Sequence, residues 1–135
     1  MHVLEVNNLS KSFGKTRVIK NISFNVEEGE IVGFVGPNGA GKTTTLKLIT
    51  DLIRPDEGEI IINGYPLKKR REAALGSLAG IIENPGLYVN LTGLDNLLFI
   101  AKVRGISKEK LQRAIDITGL GKNIHRQVRK YSLGM

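Results

Sequence analysis

The sequence predicts an α/β fold from three patterns. Residues 2–8 and 18–26 read as strands, and in the second Ile22, Phe24 and Val26 alternate with Ser23 and Asn25, as in a half-buried strand. The run Ile31-Val32-Gly33-Phe34-Val35 is continuously apolar, the pattern of a strand covered on both faces. It feeds a glycine-rich loop, and from Lys42 the apolar period becomes helical.

Each element follows in order. Ser10 to Arg17 joins the first two strands, with Gly14 as the turn residue, and Glu27-Glu28-Gly29-Glu30 makes the next turn. After the glycine loop, Leu46, Ile49 and Ile53 form one helical stripe, widened by Leu48 and Leu52. Proline cannot continue a helix, so Arg54-Pro55-Asp56-Glu57-Gly58 is expected to stop it. Glu59–Asn63 is expected as a strand, a short helical piece runs from Lys68 to near Gly76, and Leu78–Glu83 is expected as a short strand before a loop at Asn84-Pro85-Gly86. Thr92 reads as an N-cap, with Asp95 three residues on completing a shortened capping box. Leu94, Leu97, Leu98 and Ala101 then keep helical spacing. Ser107 caps another helix, in which Leu111, Ala114, Ile115 and Thr118 repeat it, and Gly119 and Gly121 end it. Residues 1–91 thus read as a β subdomain with an α/β core, and 92–135 as a helical subdomain.

With 135 residues the chain has room for one domain and little more. Hydrophobic residues at 41% and charged residues at 24% exclude a disordered chain. There is no cysteine, which excludes disulfides, cysteine zinc sites, iron–sulfur clusters and thiol catalysis. His2 and His125 are the only histidines, too few for a histidine metal cluster. No apolar run is long enough for a membrane-spanning helix. Strand-like sequence starts almost at Met1, so no signal peptide is expected.

The net charge of +7 is unevenly placed. Residues 1–101 carry 11 basic and 11 acidic side chains, whereas 102–135 carry nine basic and two acidic ones, so the whole excess lies in the last quarter. Such a region suits nucleic acid, lipid headgroups or an acidic partner, or is simply a solvated face.

The motif with chemistry in it is Gly36-Pro37-Asn38-Gly39-Ala40-Gly41-Lys42-Thr43, which fits the phosphate-loop pattern. Glycines let the backbone curl so that successive N–H groups point at phosphate oxygens, and the helix starting at Lys42 adds its positive dipole end. Lys42 reaches the outer phosphates, and the Thr43 hydroxyl suits Mg²⁺. The buried strand expected before the loop and the amphipathic helix after it separate this match from an incidental glycine-rich turn.

With these residues in place, the sequence resembles the ATP-binding subunit of ABC transporters, in family order through all 135 residues. The resemblance implies a P-loop NTPase fold of the ABC type: an antiparallel β subdomain, the P-loop strand and helix, and the start of the helical subdomain. LEVNNLSKSFG resembles the segment carrying an aromatic that stacks on adenine, and Phe13 is the matching residue; without that register it reads as an aromatic in a loop, more often packed than stacked. Gly36, Pro37, Asn38, Gly39, Ala40, Gly41, Lys42, Thr43 and Thr44 match the residues around ATP and Mg²⁺. RPDEGEIIINGYPL looks like the family's hairpin, and IIENPGLYVNLTGLDNLLF resembles the region of its glutamine loop, which links the nucleotide site to the membrane subunit. Glu83 stands where that glutamine is expected. A carboxylate can ligate Mg²⁺ or orient water, though it adds negative charge near phosphates, and otherwise it is a solvated acid at a strand end.

Tyr131-Ser132-Leu133-Gly134-Met135 resembles the family signature, with Ser132 and Gly134 matched and Leu133 and Met135 departing from it. In the family, the signature serine and glycine contact ATP held by the opposite subunit. This ending, together with Glu83, looks like the bacitracin- and lantibiotic-resistance branch of exporters. The implied function is ATP and Mg²⁺ binding that powers export across the membrane. The implied partners are a transmembrane permease subunit, docking near Glu83 and residues 84–100, and a second nucleotide-binding subunit in a head-to-tail dimer. The implied place is the cytoplasmic face of the membrane, as a peripheral subunit. Nucleic acid is not expected as a partner. The rival reading, a soluble ABC-type ATPase acting on nucleic acid or ribosomes, is favoured only by the basic last quarter; without a coiled-coil insertion between the two motifs, a DNA-repair type is disfavoured. A further rival is a non-catalytic binding or oligomerisation module. The family's aspartate-terminated strand, its water-polarising glutamate and its switch histidine have no match in these residues. The resemblance therefore implies that the 135 residues alone do not turn over ATP and that Ile31–Val35 pairs with strands supplied from elsewhere.

Overall fold

The computed structural model describes residues 1–83 and 86–135. The expected loop at Asn84-Pro85 lies outside the described residues. The chain forms two compact units, Met1–Asn84 and Pro85–Met135.

The first unit is built on a four-stranded antiparallel sheet in the order β2-β1-β3-β4. Strands β1 (His2–Phe13) and β2 (Thr16–Glu27) form one long hairpin, β3 is Glu57–Ile62 and β4 is Tyr65–Pro66. The hairpin is longer than the alternation of apolar residues suggests. Phe13 pairs with Thr16 across Gly14 and Lys15, and Gly14 takes the left-handed φ of +57° that this short turn needs. Midway, Asn8 (φ +51°) and Asn21 (φ +53°) sit where the β1–β2 register shifts, a bulge that asparagine tolerates better than most residues. Gly58 of β3 passes so close to that bulge that a Cβ would stand 2.6 Å from the carbonyl oxygens of Asn7 and Asn8.

Helix α1 (Lys42–Ile49) packs Leu48 and Ile49 against Val6, Leu9, Ile19, Ile60 and Ile62 of the sheet, with Leu67 and Ala74 closing the cluster. Leu48, Leu9 and Val6 are fully buried, and a leucine hidden in this way contributes about 1.5–3 kcal/mol. The expected stripe is displaced. Thr45, Leu48 and Ile49 face the core, while Leu46 and Leu52 are exposed. For Leu52 the cause is an earlier helix end than Pro55 would impose. Asp51 adopts φ +55°, its N–H bonds the Leu48 carbonyl, and the Leu52 N–H bonds the Lys47 carbonyl, a Schellman closure that releases the chain before Ile53. Helix α2 (Arg71–Gly76) begins three residues later than expected and buries Ala74.

Two expected strands are absent among the described residues. Residues 31–35 and 78–83 are irregular, and Ile31 and Val35 are 98% and 97% exposed. An apolar run encodes a buried strand only where neighbouring strands satisfy its backbone, and no described strand pairs with either segment. Phe34 alone is anchored, meeting Phe24 edge to face at 5.1 Å between ring centroids.

The second unit holds α3 (Gly93–Arg104), α4 (Lys108–Thr118) and two short 3₁₀ turns at Gly121–His125 and Val128–Lys130. The capping box is present as expected: Thr92 Oγ1 accepts from the Asp95 N–H, and the Asp95 carboxylate accepts from the Thr92 N–H. Ser107 caps α4, and Gly105 and Gly119, both at φ +62°, close α3 and α4. The apolar stripes are only partly buried. Leu98 is exposed, Leu94 and Leu97 are half-buried, and of the four apolar-face positions in α4 only Leu111 and Ile115 are half-buried.

Candidate functional site

The sequence places three glycines, Gly36, Gly39 and Gly41, directly before α1, and the structure uses the last two in left-handed conformations. Gly39 (φ +83°) and Gly41 (φ +90°) are left-handed, and the Ala40 N–H closes a turn on the Pro37 carbonyl at 3.2 Å. At Gly41 a Cβ would stand 2.5 Å from Ile19 Cδ1, so glycine is needed there for space as well as for φ. Gly41 is also the N-cap of α1, and having no side chain it leaves the first helical N–H groups uncapped. Thr45 returns to the loop, its N–H and hydroxyl both reaching the Gly41 carbonyl, at 2.8 and 3.0 Å. The result is a backbone cradle with positive N–H groups and a helix dipole at its base.

Lys42 is the first residue of α1. Its ammonium donates to the carbonyl oxygens of Gly36 at 2.7 Å and Pro37 at 2.8 Å, which fixes it over the mouth of the loop. A hollow of about 390 Å³ lies beside it, lined by Phe13, Val18, Asn38, Gly39, Gly41, Lys42, Thr43 and Thr44. Phe13 comes from the β1–β2 hairpin and the rest mainly from the loop and α1, so two parts of the chain far apart in sequence share one concavity. Phe13 is half exposed, and Lys11 Nζ stands 5.6 Å from its ring centroid. Lys11 is in turn held at 2.8 Å by Asp56, whose other oxygen accepts from the Ser12 N–H at 2.7 Å. These two bonds, the Lys11 one foremost, keep the Asp56 carboxyl below its ordinary range.

Glu83 lies elsewhere on the same unit. Its carboxylate pairs with Lys47 Nζ at 2.7 Å, and its backbone sits at φ +63°, a left-handed conformation rare for glutamate. It does not line the hollow. Lys47 follows Thr43 by four residues on α1, so Glu83 is attached to the same helix face roughly 6 Å further along the axis. Among the described residues no group of three or more His, Asp or Glu could hold a metal by itself. Mg²⁺ takes few protein ligands when phosphates supply the others, so Thr43, a hydroxyl-bearing residue lining the hollow, fits that role.

Ser132 and Gly134 belong to the second unit and are exposed, with Leu133 between them fully so. A turn closed by the Met135 N–H on the Ser132 carbonyl shapes the segment. Its base is fixed by Tyr131, whose hydroxyl donates to the Asn123 carbonyl at 2.9 Å and covers Gly93, leaving no space there for a Cβ. Residues 89–93 and 126–129 bond backbone to backbone, through Val128 N–H to Leu91 O, Arg129 N–H to Val89 O and Gly93 N–H to Arg126 O. Asn96, buried in α3, ties this arrangement down. It accepts from the Tyr88 N–H and donates to the Tyr88 and Thr92 carbonyls. Sequence reasoning missed Asn96, Lys11 and Lys47. Only Lys47 had a readable signal, its spacing of four from Thr43.

The glycine loop running into α1 is the local pattern of a P-loop NTPase, although the strand expected before it is absent among the described residues. The chain belongs to the ABC transporter family, whose pattern matches residues 19–135. It is 41% identical over 134 residues to the uncharacterized ABC transporter ATP-binding protein YhcH of Bacillus subtilis, covering 98% of this chain and 44% of that protein. It is 40% identical to the bacitracin transport ATP-binding protein BcrA of Enterococcus faecalis, with 99% and 44% covered, and 37% identical to the lantibiotic transport ATP-binding protein SrtF of Streptococcus pyogenes, with 98% and 57% covered. Among solved structures, an ATP-binding subunit of an ABC transporter superposes with a TM-score of 0.81 at 34% identity, over 96% of this chain and 56% of that one. The chain thus spans about half the length of the relatives it matches. Among the described residues no helix is long and apolar enough to cross a membrane.

Proposed function

We propose that this chain binds ATP with Mg²⁺ and, within a complete subunit, hydrolyses it to drive export through a membrane permease. The observation that carries this is the uncapped start of α1 opening into the hollow shared by Lys42, Thr43 and Phe13. In this reading the amides of Gly36–Thr44 cradle the phosphates and the Lys42 ammonium leaves the Gly36 and Pro37 carbonyls to neutralise the outer ones. Phe13 would carry the adenine on its ring, and the Thr43 hydroxyl would hold Mg²⁺. Bound Mg²⁺ supplies charge neutralisation to the phosphoryl group being transferred. Glu83, anchored one helical turn away by Lys47, would orient water or join the metal's outer shell. Ser132 and Gly134 would meet the nucleotide of a second nucleotide-binding subunit packed head to tail, at the cytoplasmic face of the membrane. The relatives named for bacitracin and lantibiotic transport favour an antimicrobial peptide or drug as cargo.

The test is Lys42→Ala in the complete subunit. Deleting the loop's mobile positive charge should abolish ATP binding or turnover. Turnover unchanged from the parent would remove Lys42 from the site.

A further inference from the structure

Among the described residues, the cations of the second unit make no ion pair. All six ion pairs among the described residues are made by side chains or termini within residues 1–83. The nine cations of residues 102–135 make none, and the two acids there are turned to other tasks. Glu109 lies at the Ser107 cap of α4, where backbone hydrogen bonding lowers its pKa, and Asp116 accepts from Gln112 at 2.9 Å.

The charges of α4 are also sorted around its axis. Leu111 and Ile115 are its half-buried positions, and α4 packs with α3. Glu109, Gln112 and Asp116, spaced three and four apart, occupy a second side. Lys110, Arg113 and Ile117, with the same spacing, occupy a third. On that third side everything is exposed, and Ile117 is 83% exposed. An isoleucine left in water between two unpaired cations has no role in the core of this unit. It suits a surface that offers negative charge and an apolar layer beneath it.

We infer that the Lys110–Arg113–Ile117 side of α4 rests on anionic lipid headgroups, with the other cations of this unit adding long-range attraction. A nucleic acid fits less well. Its phosphates would meet Lys110 and Arg113 but would offer the exposed Ile117 no apolar layer to enter. This goes beyond the proposed function, and the two fail separately, because lipid binding here needs no nucleotide.

The experiment is co-sedimentation of the 135-residue chain with vesicles of phosphatidylcholine alone and of phosphatidylcholine with a quarter phosphatidylglycerol. Binding to the anionic vesicles only, lost on raising salt to about 0.5 M, is the expected result. Lys110→Glu with Arg113→Glu should weaken partitioning about thirtyfold or more, since each cation at a membrane surface contributes about fivefold. Ile117→Asn should weaken it with the charge unchanged. Lys15→Glu with Lys68→Glu, the same charge change placed on the first unit, should leave most of the binding. Helical circular dichroism equal to the parent's excludes unfolding as the cause. Equal loss from both charge pairs, no effect of the α4 pair, or tighter Lys110- and Arg113-dependent binding to an RNA oligonucleotide than to the vesicles would overturn the inference.

Discussion

The ammonium of Lys47 lies 2.7 Å from Glu83 Oε1, so a residue of the phosphate-loop helix holds the end of an otherwise irregular segment. The pair is partly exposed, and such pairs contribute about 0–1 kcal/mol. Glu83→Gln keeps the shape and one hydrogen bond while removing the charge. In the complete subunit it should leave ATP turnover within about tenfold, equivalent to about 1.4 kcal/mol in the barrier, and the melting temperature nearly unchanged. Complete loss of turnover would show that the carboxylate itself takes part in the reaction.

Phe13 shares the hollow with Lys42 and Thr43 yet is half exposed, which separates a stacking platform from a core residue. Phe13→Ala should weaken ATP binding by the worth of one stacked base, about 1–3 kcal/mol, and leave tripolyphosphate binding as before. Titrating both ligands by calorimetry checks this. Equal losses for the two would mean that Phe13 supports the loop rather than the base.

How far these residues could be read without coordinates depended on how local their causes are. The hairpin, the Thr92–Asp95 capping box and the cap at Ser107 are decided by neighbours within a few residues, and each was legible. The left-handed turns of the glycine loop before α1 were legible for the same reason, because its glycines and Lys42 lie within seven residues. Ile31–Val35 was not. Its apolar side chains encode burial against other strands, and no described strand supplies it. The end of α1 was misplaced because Asp51, rather than a glycine or the later Pro55, takes the left-handed closing position. Asn96 was illegible because its three hydrogen bonds exist only once residues 88–92 fold back over α3.

Asp56 links the sheet to the Phe13 platform, and its carboxyl is held below the ordinary range by Lys11 first and the Ser12 N–H second. A depressed folded-state pKa stabilises the protein above the unfolded value of about 4 and loses that contribution as pH falls through the folded value. The stability gap between the parent and Asp56→Asn should therefore be fully open at pH 6 and close as the pH drops below about 4. Urea unfolding of both proteins across that range measures it. A gap that stays constant with pH would mean that Asp56 acts through shape alone.

The 135-residue chain alone should not hydrolyse ATP. In-line attack needs a positioned water, and among the described residues the hollow beside Lys42 is lined by no carboxylate, Glu83 being drawn onto Lys47. Ile31 and Val35 are almost wholly exposed in a segment with free backbone groups, a surface prone to pair with another chain. The isolated chain should therefore self-associate, giving oligomers by size-exclusion chromatography, while the β1–β2 hairpin and helices α3 and α4 keep their secondary structure. Phosphate release from the purified chain with Mg²⁺-ATP should match that of Lys42→Ala, which serves as the control for contaminating ATPases. Mg²⁺-dependent turnover by the parent that Lys42→Ala abolishes would show that these residues already position the attacking water, and Glu83, freed from Lys47, would then be the acid to examine.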